Sequence, residues 1–212
     1  MPSTDDGAPL PKPLLDAIAP RGHTRSFPAH AILINEGDTT DSLYIVLSGR
    51  VKTYASSDDG REVILAEYGP GEYFGELSID GEKRSASIKA IEACCCRLVP
   101  GSELREFLAE HPDFALHLTH KLIGMVRRLT EQVRGLALQG VYGRMVRVLT
   151  ELSDPVGEER VLRRKLTQQD IADRVGSSRE MVNRVMKELT VGGYVTQRDG
   201  RLVIQRKLPA AW

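Results

Sequence analysis

The hydrophobic pattern of this 212-residue chain changes period once, near Pro112, and that change limits the fold more than any other feature. Before it, from about Phe27 to Val99, short apolar runs (AILI, LYIVL, VILAEY, SASIKAI) are separated by turn sequences (NEGD, LSGR, SSDDGRE, YGPGEY). Gly37, Gly49, Gly60 and Gly71 recur at about the 8–12-residue spacing of a sandwich or barrel, which predicts a jelly roll or similar double-sheet barrel. After Pro112, Leu118, Leu122, Met125, Leu129, Gln132 and Leu136 step by 4, 3, 4, 3 and 4. That is a heptad seam on one long helix, with Arg127, Arg128, Glu131 and Arg134 outside it. A seam of that length without proline predicts pairing with a second copy of the chain, through Leu118, Leu122, Met125, Leu129 and Leu136.

Beyond the seam, Gly135, Gly140 and Gly143 predict a hinge, and SDPVGEE a further break. Two short amphipathic helices follow, LTQQDIADRV and SSREMVNRVMKELT, with Gly176 between them. Thr167 with Asp170, and Ser177 with Glu180, have capping-box spacing. The second helix sets Val182, Val185, Met186 and Leu189 on one face. Two such helices joined by a glycine turn predict a helix-turn-helix, and the apolar–DG–apolar stretch GGYVTQRDGRLVI adds a hairpin, hence a wing. Arg179, Glu180 and Arg184 then crowd the start of the helix that would enter a DNA major groove. Arginine can donate twice to guanine O6 and N7, and a carboxylate can accept from cytosine N4.

Charge agrees with this division. The whole chain is neutral, but residues 1–140 carry 15 Lys+Arg against 20 Asp+Glu, and residues 141–212 carry 14 against 9. The basic end is the part suited to an anionic partner. The opening MPSTDDGAPLPKPLL is acidic and proline-rich and lacks the apolar core of a secretory leader, so a cytoplasmic location is expected, with no membrane partner. Its first 13 residues are expected to form a disordered arm. Cys94, Cys95 and Cys96 are consecutive, so on a strand they point to opposite faces and cannot cage a metal; small core residues are expected there. No nucleophile–base pair or metal cluster is legible, so an enzyme is not expected.

The stretch TQQDIADRVGSSREMVNRVMKEL resembles the helix-turn-helix of the cAMP receptor protein and FNR (Crp–Fnr) family of bacterial transcription regulators. The segment PGEYFGELSIDGEKRSASIKA, with FGEL followed by RSA, is similar to the phosphate-binding cassette of cyclic-nucleotide domains. The resemblance runs in order along nearly the whole chain. It implies an α+β protein with an N-terminal cyclic-nucleotide-binding jelly-roll barrel (14–110), a dimerisation helix (111–139) and a C-terminal winged helix-turn-helix (140–212). It implies a homodimer on double-stranded DNA, with Arg179, Glu180 and Arg184 reading bases and Thr167, Gln169, Ser178 and Lys187 near the backbone or groove. RNA polymerase is a further partner in the family, although SDPVGEER is shorter than the loop that meets it in the cAMP receptor protein.

In the cassette, Gly75 lets backbone approach a phosphate, Arg84 offers a planar cation to it, and Glu76 can accept from a ribose 2′-OH. Leu77, Ser85 and Ala86 complete the cradle. The two helix positions that touch adenine in the family are here Leu129 and Thr130, and only Thr130 can keep a polar contact. The regulatory ligand implied is cAMP, or next cyclic di-GMP, for whose second phosphate Arg127, Arg128 and Arg134 are available. The other reading is a regulator of the same shape that binds DNA without a ligand.

Overall fold

A computed structural model describes residues 9–209. The chain forms two compact units. The first holds the described residues up to Ala55 with Ile64–Leu129. The second holds Ser56–Val63 and the residues from Thr130 onward.

The first unit opens on helix α1 (Lys12–Ile18). The strands then follow in order: β1 (His23–Phe27), β2 (Ile32–Ile34), β3 (Leu43–Ser48), β4 (Val51–Ser56), β5 (Glu62–Tyr68), β6 (Tyr73–Phe74), β7 (Ser87–Ala90) and β8 (Cys94–Val99). They make two four-stranded sheets, β1-β8-β3-β6 and β2-β7-β4-β5, the expected double-sheet barrel. The run LYIVL on β3 explains how the barrel is closed. Tyr44 and Val46 face the inter-sheet core with Phe27, Phe74, Ile88 and Cys96. Leu43 and Ile45 face the other way, into a second core with Leu14, Ile18, Leu104, Phe107 and Phe114. A strand covered on both faces reads as a continuous apolar run rather than an alternating one.

That second core corrects the expected arm. Residues 1–8 lie outside the described part, but residues 9–13 are not a free arm. The Leu10 amide donates to the Gly71 carbonyl at 2.8 Å, and Leu10 and Leu14 are buried. The prolines start α1 rather than prevent order: Pro13 occupies its first turn, where a missing N–H costs nothing. The cysteines behave as expected. Cys94 and Cys96 point into the core and Cys95 to the opposite face, and burial pushes the Cys96 thiol up to about 12. No group of His, Cys, Asp or Glu among the described residues could hold a metal.

Helix α2 (Gly101–Glu110) leads into α3 (Pro112–Leu138), a single 27-residue helix. Its faces differ from the expected register. Leu118 packs on the second barrel core, and Leu122 and Met125 are half-buried. The large apolar side chains that stand open are Leu116, Ile123, Val126, Leu129, Val133, Leu136 and Leu138. With Thr119, Thr130 and Ala137, the residues Ile123, Val126 and Val133 form a heptad stripe one residue later than the one expected, and every member of it is exposed.

In the second unit, α4 (Val141–Glu151) begins at Gly140, so the chain does break among the glycines singled out, while Gly135 and Gly143 lie inside helices. SDPVGEE is more than a break: β9 (Ser153–Val156) and β10 (Glu159–Leu162) form a hairpin across it. Then come α5 (Gln168–Val175), α6 (Arg179–Val191), β11 (Val195–Arg198) and β12 (Arg201–Ile204), with the sheet ordered β11-β12-β10-β9. Met145, Leu149, Leu162, Ile171, Val182, Leu189 and Ile204 form its core. At the wing tip Asp199 and Gly200 both have positive φ, as a two-residue hairpin turn matched to strand twist requires.

Candidate functional site: barrel cavity and recognition helix

In the barrel, the cassette folds around one backbone feature. Gly75 has φ +88°, and a Cβ there would stand 2.8 Å from Arg84 Nη1 and 2.9 Å from the Ser42 carbonyl oxygen. Only glycine satisfies both the left-handed backbone and the close approach. A short 3-10 turn, Glu76–Asp80, follows at once.

Arg84 is a buried guanidinium, 5% exposed. Its Nε donates to Thr40 Oγ1 at 3.1 Å, Nη1 to the Gly75 carbonyl at 2.8 Å, and Nη2 to the Ser42 carbonyl at 2.7 Å. Its backbone is held as well, its amide by the Asp38 carbonyl and its carbonyl by the Gly37 amide. Burial draws the guanidinium's pKa below its usual value, and Tyr44 and nearby carboxylates oppose that. Arginine has five N–H donors, so one on Nη1 and one on Nη2 remain for an anion. Glu76 is also buried, and neither of its carboxylate oxygens has an aligned hydrogen-bond donor. Its Oε1 makes an ion pair with Lys121 Nζ at 3.1 Å.

These groups share the wall of one cavity of about 320 Å³. Gly75, Glu76, Leu77, Arg84, Ser85 and Ala86, all named from the sequence, line it. Thr130 does not; it is exposed on the open stripe of α3. Instead α3 contributes Met125, Arg128 and Leu129. Those three stand at i, i+3 and i+4, and that spacing is the signal that could have found them. Met125 and Leu129, expected in a dimer seam, are therefore wall residues of the cavity.

In the second unit the expected helix-turn-helix is present. Thr167 caps α5 with a full capping box: its Oγ1 accepts from the Asp170 amide at 3.0 Å, and the Thr167 amide donates to Asp170 Oδ2 at 2.8 Å. Gly176 turns the chain with φ +60°. The cap of α6 is Ser178, one residue beyond the serine expected; its Oγ accepts from the Met181 amide at 3.3 Å. Val182, Val185, Met186 and Leu189 are buried, and this leaves Arg179, Glu180, Arg184 and Lys187 exposed on the outer face. Hydrogen bonds at the helix start, from its own backbone and from Ser178, hold the Glu180 carboxyl below the usual range, so it is a ready acceptor. Gln169 donates to Asp173 at 2.7 Å, which ties it to its own helix. Asn183 was missed by the sequence reading: it is exposed one turn after Arg179 and accepts from Gln168 Nε2 at 3.1 Å. Asparagine at such a position can address adenine.

The cyclic nucleotide-binding domain family matches residues 24–111, and the Crp-like helix-turn-helix domain family matches residues 143–208. The cAMP-activated global transcriptional regulator CRP of Haemophilus influenzae is 31% identical over 192 residues, spanning 88% of this chain and 86% of that protein. The chain belongs to the Crp–Fnr family. The cAMP-activated regulator Vfr of Pseudomonas aeruginosa is 30% identical over 198 residues, spanning 90% and 92%. The solved structure of the c-di-GMP-responsive regulator CLP of Xanthomonas campestris aligns with a TM-score of 0.79 at 27% identity, over 93% of this chain and all of that one. As a Crp–Fnr member the protein is a cyclic-nucleotide-binding, DNA-binding transcription regulator, and its relatives are regulators rather than enzymes. Among the described residues no helix is long and apolar enough to cross a membrane.

The Crp–Fnr cassette carries a cost that a ligand-only view of Arg84 overlooks. Arg84→Leu would take the Ser42 carbonyl's donor and leave the Gly75 carbonyl with the Ser78 hydroxyl alone, so thermal unfolding without ligand should show a loss of about 1–3 kcal/mol. A variant as stable as wild type would mean that the Ser42 carbonyl finds another donor.

Proposed function

We propose that a purine cyclic mononucleotide, first of all cAMP, occupies the barrel cavity and controls the binding of a homodimer to a palindromic DNA site. The carrying observation is the pairing, in one wall, of a buried guanidinium with two N–H groups to spare and a buried carboxylate whose Oε2 has no hydrogen-bond donor. Such a pair matches a phosphate and a neighbouring hydroxyl. The cavity volume, at the small end of the usual range for ligand sites, suits one nucleotide. The cAMP-activated relatives support the base assignment. Cyclic di-GMP is the second reading: Arg128 puts a second cation on the cavity, and CLP responds to that ligand.

Calorimetry of the purified protein against cAMP, cGMP and cyclic di-GMP separates these readings. Tight binding of cAMP alone is expected. Preference for cyclic di-GMP would move the assignment to the second reading. No binding below millimolar would leave a regulator that acts without a ligand.

For the dimer, the exposed stripe Ile123, Val126 and Val133 is the surface offered to a second copy. An apolar heptad stripe of this kind supports helix pairing. Ile123→Glu with Val126→Glu should give monomers in sedimentation and collapse binding to a palindrome. A wild type that is monomeric at micromolar concentration would refute the dimer.

For DNA, Arg179, Glu180 and Arg184 are the proposed base readers, with Thr167, Ser178 and Lys187 near the backbone; the tie from Gln169 to Asp173 fits a supporting place beside them. Arg179→Ala should cost about 1–3 kcal/mol and relax preference at one base pair. Lys187→Ala should weaken all sequences alike and flatten the salt dependence. Gel shifts that show Arg179→Ala with full affinity and preference would remove the helix from this role.

A further inference from the structure

Lys121 is the one buried ammonium or guanidinium of α3, and neither the cassette motif nor the heptad pattern accounts for it. It is 6% exposed and reaches from α3 into the barrel. Its Nζ donates to the Tyr73 carbonyl and lies over the rings of Tyr73 and Tyr68, 3.8 and 5.0 Å from their centroids. Three fixed features thus hold one end of a flexible side chain in place. The same Nζ stands 3.1 Å from Glu76 Oε1. Burial pulls the ammonium's pKa down, and Glu76 pulls it back up. Arg84, the buried cation that lines the cavity itself, directs its three assigned donors to Thr40, Gly75 and Ser42, none to Glu76.

We propose that Lys121 is a positioning residue for ligand selectivity: it holds Glu76 as a charged acceptor, with Oε2 left without a donor, for a ligand hydroxyl to supply. This rests on the reading that the cavity takes a cyclic nucleotide, and it supplies what that reading lacks. A carboxylate removed from water keeps its charge only beside a compensating cation. Held through Oε1 alone, it also keeps one orientation. The second oxygen is then a standing acceptor without a donor, a condition that buried polar groups seldom keep. A ribose 2′-OH beside a phosphate on Arg84 would satisfy it. A 2′-deoxy sugar would leave it unsatisfied, and a site built around a hydroxyl rejects the analogue that lacks it. Selectivity therefore depends on a residue that need not touch the ligand.

The test is calorimetry on the full-length protein with cAMP, cGMP and their 2′-deoxy analogues. Wild type should prefer the ribonucleotide by about tenfold or more. Lys121→Met should lose that preference while binding the deoxy analogue nearly as well as wild type. Lys121→Gln keeps a donor for the Tyr73 carbonyl without the charge; it should behave likewise and carries the test if the methionine variant does not fold. A ribose preference that survives in Lys121→Gln overturns the proposal. So does an equal loss of affinity for both sugars, which would mark Lys121 as merely structural. A wild type that binds both sugars equally overturns it too, but leaves the cyclic-nucleotide reading intact. A wild type that binds neither overturns the proposal together with the mononucleotide reading.

Discussion

The Arg84 guanidinium ties together the parts of the barrel on which everything else is arranged. It bonds Gly75 at the head of the cassette and Ser42 and Thr40 just before β3, segments far apart in the chain. Charge-assisted bonds to carbonyls inside the protein are stronger than neutral ones and specific in direction. With both carbonyls fixed, the left-handed Gly75 is fixed too, and Glu76 is delivered to the wall as the next residue. The arginine is thus a structural tie before it is a ligand contact. Two of its donors are left over for an anion.

Part of this was legible because single residues had one possible job. Asp199–Gly200 between apolar strands marks the wing, and Thr167 with Asp170 marks the start of α5; both are local chemistry, set by neighbours in sequence. The FGEL and RSA groups sit in the cavity wall as read. Other features were hidden for equally physical reasons. Two serines adjoin at 177 and 178, and spacing alone chose the wrong one as the cap. Pro155 disguised β9, because proline tends to exclude a strand except at an edge. Prolines near the start disguised Leu10, buried just before α1, and Leu14 and Ile18, whose four-residue spacing buries one face of that helix. Lys121 could not be read at all: a lysine is expected to face water, and the carboxylate that keeps it inside lies in another element.

The register of α3 shows the limit of periodicity most clearly. Residues 118, 122, 125 and 129 are apolar, and so are 123, 126 and 133, on the adjacent strip. Spacing identifies a helix with an apolar band wider than one seam. It does not say which edge of that band the barrel takes. The barrel takes the first, where Leu118 enters a core and Met125 and Leu129 enter a cavity wall. The second is what remains exposed.

Those two strips lie one residue apart on one helix, and this restricts how such a chain can change over generations. Inserting or deleting a single residue in the middle of α3 would rotate the rest of the helix by about 100°. The strip beyond the change would then no longer continue the strip before it. Whole heptads nearly preserve the phase, because seven residues fall close to two turns. Outside its two strips the helix can therefore change in residue identity far more readily than in length, except in steps of seven.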